Sequence, residues 1–397
     1  MPFHILGLGA IGSLLAFHLR RVVPPNQVIT LLHKSTGQAM VGRMQGGIVQ
    51  VERDAFVSSA NGFDHEMFEE PFRNERRSGG KSAERSDAPN IDTLFVTCKA
   101  HQTVGAISRL LPRLSRNSTI VLLQNGMGIH ERLLEDVFRN PDQRPHFILA
   151  TNTHGAFSKA PLRIVHTGVG EIQFGLVPQS REISYESGFR ESGGEEGRLS
   201  DLVPEDPTIA PRYHSLRQTV AALLLMENLA VSWRPISEIQ VALRRKLAVN
   251  SVINPLTALM NCRNGDVFNS TASLRILTRV CSEAYAGFAA EMQSETQLWL
   301  DEQARQGADP ETLSVGRVPR GLTPDALEAE CLRVADLTKG NVSSMLSDVR
   351  RGRPTEIHFM NGHLLRLGSR YRVEMPANAM LRNLIEMRSA IPLDQMF

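Results

Sequence analysis

An α/β domain built on a parallel sheet, followed by an all-helical domain, is the architecture this sequence predicts. Three observations lead there. Short apolar, β-rich runs alternate with helix-like stretches through the first part of the chain. A glycine-rich turn sits between the first strand-like run and the first helix-like one. From about residue 213 onward strand signals nearly vanish and the chain reads as successive helices.

The elements follow in order. "FHIL" (3–6) reads as a buried strand, then "GLGAIG" as a turn and "SLLAFHLRR" as a helix. "VITLLHK" (28–34), "TLFVTCKA" (93–100) and "TIVLLQNG" (119–126) repeat the strand pattern, with helical stretches between several of them. "HFILATNTHGAF" (146–157) and "RIVHTGVGEIQFG" (163–175) are expected as added strands of the same sheet. The break "WRP" at Pro235 sets the expected division into domains 1–235 and 236–397. Residues 73–90 contain no Val, Ile, Leu, Met or aromatic residue and are expected to be a mobile surface insertion, because they have too little apolar surface to offset ordering entropy. Residues 178–212 read the same way, and 301–324 are a weaker third case. No internal repeat is visible.

Composition bounds the function. At 397 residues two domains are expected, and 42% hydrophobic with 22% charged residues is ordinary for a soluble protein. The balance of 44 basic against 42 acidic residues gives +2 and predicts no strong attraction to nucleic acid or membranes. Cys98, Cys262, Cys281 and Cys331 form no CxxC pair, so neither a disulfide framework nor a zinc site is expected, and a reducing, cytoplasmic setting fits. No apolar run approaches the roughly 20 residues needed to span a bilayer, and a strand begins too early to leave room for a signal peptide.

Gly7, Gly9 and Gly12 make G-x-G-x-x-G directly after a strand and at the head of a helix. Such glycines allow a tight turn, close backbone approach to a pyrophosphate and close packing of helix on strand. The helix start then offers N–H groups and a partial positive charge to the phosphates. Residues 7–12 (Gly7, Leu8, Gly9, Ala10, Ile11, Gly12) are therefore the expected dinucleotide-binding turn. An NAD site wants an acid about 20 residues further on, for the ribose hydroxyls. Here His33 and Lys34 stand instead, with no acid before Glu52, so a cation at Lys34 favours the 2′-phosphate of NADP(H).

In "LRRKLAVNSVINPLTALMNC" (243–262) Lys246, Asn250 and Asn254 recur at steps of four on an otherwise apolar helix. Asparagine is a poor helix former, and Glu or Lys would serve a solvated face better. The polar stripe reads as one wall of a ligand cleft. Glu356 follows "GRP", so Pro354 is expected to open a helix with Glu356 in its first turn.

The sequence resembles the 2-dehydropantoate (ketopantoate) 2-reductases. The resemblance rests on "GLGAIG", "CKAHQT" (98–103), "QNGMG" (124–128), "RRKLAVNSVINPLTAL" (244–259) and "NVSSMLSDVRRGRPTEIHFMNG" (341–362), and covers nearly the whole chain apart from the insertions. It implies a Rossmann-type domain and an all-α domain, with the active site in the cleft between them. It also implies roles: Lys246 as catalytic general acid, Glu356 as a site carboxylate, Asn250 and Asn254 on the substrate's hydroxyl and carbonyl region. Ser344 would hold the substrate carboxylate with Asn341 close by. Lys99 and Gln102 would lie on the cofactor side, and Asn125 between cofactor and substrate. The sequence departs from the pattern in its insertions, and at His33–Lys34 where many relatives carry arginine.

Hydride delivered to a ketone leaves negative charge on oxygen, which an ammonium stabilises and then protonates. The implied activity is NADPH-dependent reduction of ketopantoate to (R)-pantoate for pantothenate and coenzyme A synthesis, by a cytoplasmic monomer or homodimer. The alternatives are reduction of another branched 2-oxo acid, or a non-catalytic NADP-binding regulator that uses its insertions to reach partners.

Overall fold

The computed structural model describes residues 2–34, 36–44, 46–67, 89–178, 210–307, 309 and 316–392. The polar stretches at 73–90 and 178–212 lie almost entirely outside the described residues, as do 308 and 310–315 of the third.

The chain begins with β1 (Phe3–Leu6), α1 (Ala10–Val22), β2 (Ile29–His33), α2 (Thr36–Met44), β3 (Val49–Arg53), β4 (Phe56–Ala60) and β5 (Asp64–Met67). It continues through β6 (Thr93–Val96), α3 (Ala100–Leu110), β7 (Thr119–Leu122), α4 (Ile129–Asp136), β8 (His146–Asn152), β9 (Gly155–Ala160), β10 (Arg163–Gly168) and β11 (Ile172–Leu176). Helix α5 (Ala210–Leu224) and the short strand β12 (Val231–Trp233) follow. β1, β2, β6 and β7 are buried at every residue, as strands covered on both faces must be.

Eight strands form one sheet in the order β12-β11-β8-β7-β6-β1-β2-β5. Every pairing is parallel except β8 with β11. From β1 the chain runs outward to β2 and β5, then returns to β6 on the other side. The strand order therefore reverses at β1 and β6, where open α/β sheets form their ligand crevice. The sequence expectation needs two corrections here. Residues 146–157 and 163–175 do not all extend the main sheet: β9 and β10 join β3 and β4 in a separate four-stranded sheet, β4-β3-β10-β9. Among the predominantly helical residues after 213, β12 is a strand, pairing parallel with β11. Helix α5 is fixed to the main sheet by hydroxyl pairs, Thr219 Oγ1 with Thr93 Oγ1 and Ser215 Oγ with Thr119 Oγ1, each at 2.8 Å.

The remaining helices are α6 (Ile236–Met260), α7 (Thr271–Arg305), α8 (Pro324–Leu337), α9 (Ser344–Arg350), α10 (Asn361–Tyr371) and α11 (Pro376–Ala390). Their core gathers Leu247, Val252, Ile253 and Leu256 of α6 with Leu277 and Phe288 of α7, Leu364 of α10 and Ile385 of α11. Each fully buried side chain of this kind contributes about 1.5–3 kcal/mol. Cys281 and Cys331 are fully buried in the same core, with their sulfurs 4.0 Å apart and no disulfide between them. Among the described residues no helix is long and apolar enough to cross a membrane.

The chain divides into two compact units, Met1–Gln124 with Ile129–Ile239, and Asn125–Gly128 with Gln240–Phe397. The loop Asn125–Gly128 thus belongs with the helices, although β7 and α4 on either side of it do not. Met127 donates its backbone N–H to Phe359 O at 3.1 Å, and the chain approaches so closely that a Cβ on Gly126 would lie 2.5 Å from that oxygen.

Candidate active site

In the α/β unit the glycine turn follows β1, and its glycines divide the work. Gly7 has φ +103°, and a Cβ there would meet Cys98 N at 2.2 Å. A Cβ on Gly12 would meet Gly7 O at 2.0 Å and Thr97 Oγ1 at 2.5 Å. These two serve the packing of turn, helix and neighbouring strand. Gly9 is different: it is exposed, and a Cβ on it would meet nothing within 4 Å. It stands immediately before α1, where no side chain caps the helix start. The N–H groups of the first turn have no partners further back in the helix, so open space and donors coincide where a pyrophosphate would sit. The residues present fit a dinucleotide.

Thr97, on the adjoining β6–α3 connection, donates its hydroxyl to Gly7 O at 2.6 Å and braces the turn. Gln124, two residues past β7, donates Nε2 to Cys98 O at 2.6 Å and also bonds Thr103 Oγ1. Lys99 immediately precedes α3 and, like Gln102 in its first turn, is half-buried. Lys34 is exposed directly after β2. His33 is not presented at that edge. It is 2% exposed, and its Nε2 lies 2.8 Å from Nδ1 of His65 on β5, with the rings stacked 5.0 Å apart.

In the helical unit Lys246, Asn250 and Asn254 all lie on α6. Burial pushes the Lys246 ammonium down from 10.5 to about 8, and the Glu356 carboxylate pulls the other way by favouring the charged form. Lys246 and Asn250 are half-buried, whereas Asn254 is buried and donates Nδ2 to Met360 Sδ at 3.5 Å. Glu356 is itself buried, but it does not stand in the first turn of an α-helix. Pro354 and Thr355 lie in irregular chain, and Glu356 leads a single 3-10 turn over Ile357–Phe359. A turn this short has almost no macrodipole, so Glu356 does not have the helix-start setting expected of it.

Ser344 is the exposed first residue of α9, and Asn341 is exposed just before it, its carbonyl accepting from Asn264 N at 3.1 Å. The residue that sets Ser344 in place is its neighbour. Ser343 Oγ accepts from Leu346 N at 3.1 Å as the N-cap of α9, and from Thr257 Oγ1 of α6 at 2.7 Å. Ser343 and Thr257 were missed by sequence reasoning. Two adjacent serines are equally good caps, so the pattern alone does not say which one turns inward.

These arrangements define a class of protein: a Rossmann-type α/β unit followed by a helical unit. The same architecture is found in D-mandelate dehydrogenase solved with NADH and anilino(oxo)acetate, which superimposes with TM-score 0.68 at 16% identity over 98% of each chain. A probable 2-dehydropantoate 2-reductase of Bacillus subtilis superimposes with TM-score 0.60 at 21% identity, over 98% of this chain and all of its own. Residues 3–179 match the family described as ketopantoate reductase PanE/ApbA, and residues 238–389 match its C-terminal domain. The chain belongs to the ketopantoate reductase family. It is 28% identical to the 2-dehydropantoate 2-reductase of Vibrio cholerae over 384 residues, covering 96% of this chain and 95% of that one. Against the enzyme of Saccharomyces cerevisiae it is 26% identical over 400 residues, covering 98% and 94%.

Proposed function

We propose that the protein reduces 2-dehydropantoate to (R)-pantoate with NADPH, the step that supplies pantothenate and coenzyme A synthesis. The observation that carries this reading is Lys246: an ammonium lowered to about 8 by burial and kept charged by Glu356, on a helix that also carries Asn250 and Asn254. A general acid works best with a pKa near the operating pH.

When bound, the dihydronicotinamide supplies the hydride that reaches C2 of the 2-oxo acid. Lys246 Nζ hydrogen-bonds the ketone oxygen, stabilises the charge that develops there, and passes its proton to it, leaving a neutral amine that solvent reprotonates. Glu356 holds the lysine charged and aimed. Asn250 and Asn254 offer amide donors and acceptors to the hydroxyl and carbonyl region, and Ser344 with Asn341 holds the carboxylate. Gly7, Leu8, Gly9, Ala10, Ile11 and Gly12 form the pyrophosphate turn. Lys34 would face the 2′-phosphate, Lys99 and Gln102 would line the cofactor side, and Asn125 would stand between cofactor and substrate.

The test is NADPH oxidation with a panel of 2-oxo acids that includes ketopantoate, other branched 2-oxo acids and the aromatic benzoylformate. Ketopantoate is expected to give the highest kcat/KM. A higher value for another member would replace the substrate, and no turnover with any would remove the enzymatic reading.

A further inference from the structure

Pro255 lies inside α6, one residue beyond Asn254. Proline has no N–H, so the carbonyl of Ser251, four residues earlier, loses its helix partner, and the proline ring pushes that carbonyl aside. Ser251 is fully buried, where an unmade hydrogen bond is costly. The missing donor comes from a distant part of the chain: Asn361 Nδ2 donates to Ser251 O at 2.9 Å.

Asn361 is held for this task. Its other Nδ2 hydrogen goes to Asn378 Oδ1 at 3.0 Å. Asn378 in turn donates Nδ2 to Glu283 Oε2 at 2.9 Å, and its backbone N–H reaches the same oxygen at 3.0 Å. Ala377 N donates to the other oxygen, Oε1, also at 3.0 Å. Asn361 and Asn378 are both 0% exposed and Glu283 is 3% exposed. Asn361 Oδ1, by contrast, has no hydrogen-bond partner among the described residues. Only the donor side of this amide is used, and both of its hydrogens end on fixed acceptors.

We propose that Asn361 is a positioning residue that restores the helix hydrogen bond deleted by Pro255, and so fixes the turn of α6 that presents Lys246 and Asn250. Ser251 directly follows Asn250, so slack at its carbonyl moves the polar stripe. The catalytic part of this proposal rests on the role given to Lys246 above; the structural part does not.

The experiment compares Asn361→Ala, Pro255→Ala and the double variant by thermal melting and by steady-state kinetics with NADPH and the preferred 2-oxo acid. Asn361→Ala should lower the Tm and reduce kcat by roughly 10- to 100-fold, the scale of a small misplacement at a reacting centre, with the Kd for NADPH unchanged. Pro255→Ala alone should stay near the unaltered protein. The double variant should recover part of both losses, because the Pro255→Ala change supplies the backbone N–H that Ser251 O lacks while the bond to Asn378 Oδ1 stays lost. If Asn361 merely filled space, that new N–H would rescue nothing. A double variant as impaired as Asn361→Ala overturns the proposal. If Asn361→Ala gives no folded protein, return of folded protein in the double variant is the supporting result and its failure to return the overturning one. If no 2-oxo acid is reduced, the functional reading fails while rescue of the Tm still decides the hydrogen bond.

Discussion

Met127 gives its backbone N–H to Phe359 O at 3.1 Å, and that one bond joins the loop carrying Asn125 to the turn led by Glu356. Gly126 makes the approach feasible, with φ +84° and a Cβ position 2.5 Å from the same carbonyl. Gly126→Ala should therefore displace Asn125 relative to Glu356 as well as strain the backbone, by about 1–3 kcal/mol. The expected result is a lowered Tm together with a fall in kcat. Normal kinetics in a protein of normal Tm would show that the loop does not depend on this contact.

The glycine turn allows fold and ligand binding to be separated. Gly12→Ala must push against Gly7 O at 2.0 Å and should lower the Tm sharply. Gly9→Ala meets nothing within 4 Å and should leave the Tm intact, yet its methyl group occupies the space where a pyrophosphate would approach. Melting curves with NADPH titrations check both. Unchanged NADPH affinity in Gly9→Ala would mean that the phosphates lie elsewhere.

Lys34 is exposed after β2 and His33 is buried, so in the proposed cofactor site the preference for a 2′-phosphate rests on Lys34. NADPH should outperform NADH in kcat/KM, and Lys34→Glu should erode the preference by repelling the 2′-phosphate. Comparable values for both cofactors in the unaltered protein would remove this role.

In the proposed reaction the proton donor is the charged form of Lys246, so kcat is expected to be flat at lower pH and to fall as pH rises through about 8. Glu356 raises that value, and Glu356→Gln should move the fall to lower pH. An unmoved profile would mean that the carboxylate acts on the substrate rather than through the lysine. Lys246→Ala should cost about 10²–10⁴-fold in kcat, and adding Glu356→Gln should cost little more, since groups acting as a unit are non-additive. Ser344→Ala should mainly raise KM for the 2-oxo acid, because the carboxylate contact proposed for it would be made in ground and transition states alike.

The same titration has a stability consequence with a definite sign. Unfolded Lys246 titrates near 10.5 and folded Lys246 near 8, so the folded state bears an unfavourable charge at every pH below about 8. That penalty is relieved as pH rises from 8 toward 10.5, where the folded protein holds fewer protons than the unfolded one. Lys246→Met should raise the Tm at neutral pH, with a gain that shrinks as pH increases across this window. A Tm lowered by Lys246→Met at neutral pH would contradict the burial cost.

Local pattern carried much of the architecture in advance. The βαβ alternation, the glycine turn and the helix bearing Lys246, Asn250 and Asn254 all follow from periods of two and 3.6 and from glycine geometry. What escaped depends on partners distant in sequence. His33 looks like a strand-end residue open to a ligand until His65 on another strand covers it. Glu356 looks like a helix-start residue because Pro354 precedes it, but the chain there is set by packing of the turn that carries Phe359, and no α-helix forms. The assignment of β9 and β10 to a second sheet is equally non-local, since a short β-rich run does not say which edge it will join. Asn361 had no visible task because the proline it complements lies more than a hundred positions earlier in the chain.

The apposed thiols of Cys281 and Cys331 supply a clock. Both are fully buried in the helical core, while Cys98 and Cys262 are half-buried. A thiol reagent added to the native protein should consume two groups first and the other two only as fast as the helical core opens. The rate of that second phase, followed as denaturant rises, reports opening of the helical unit separately from the α/β unit, with no introduced label.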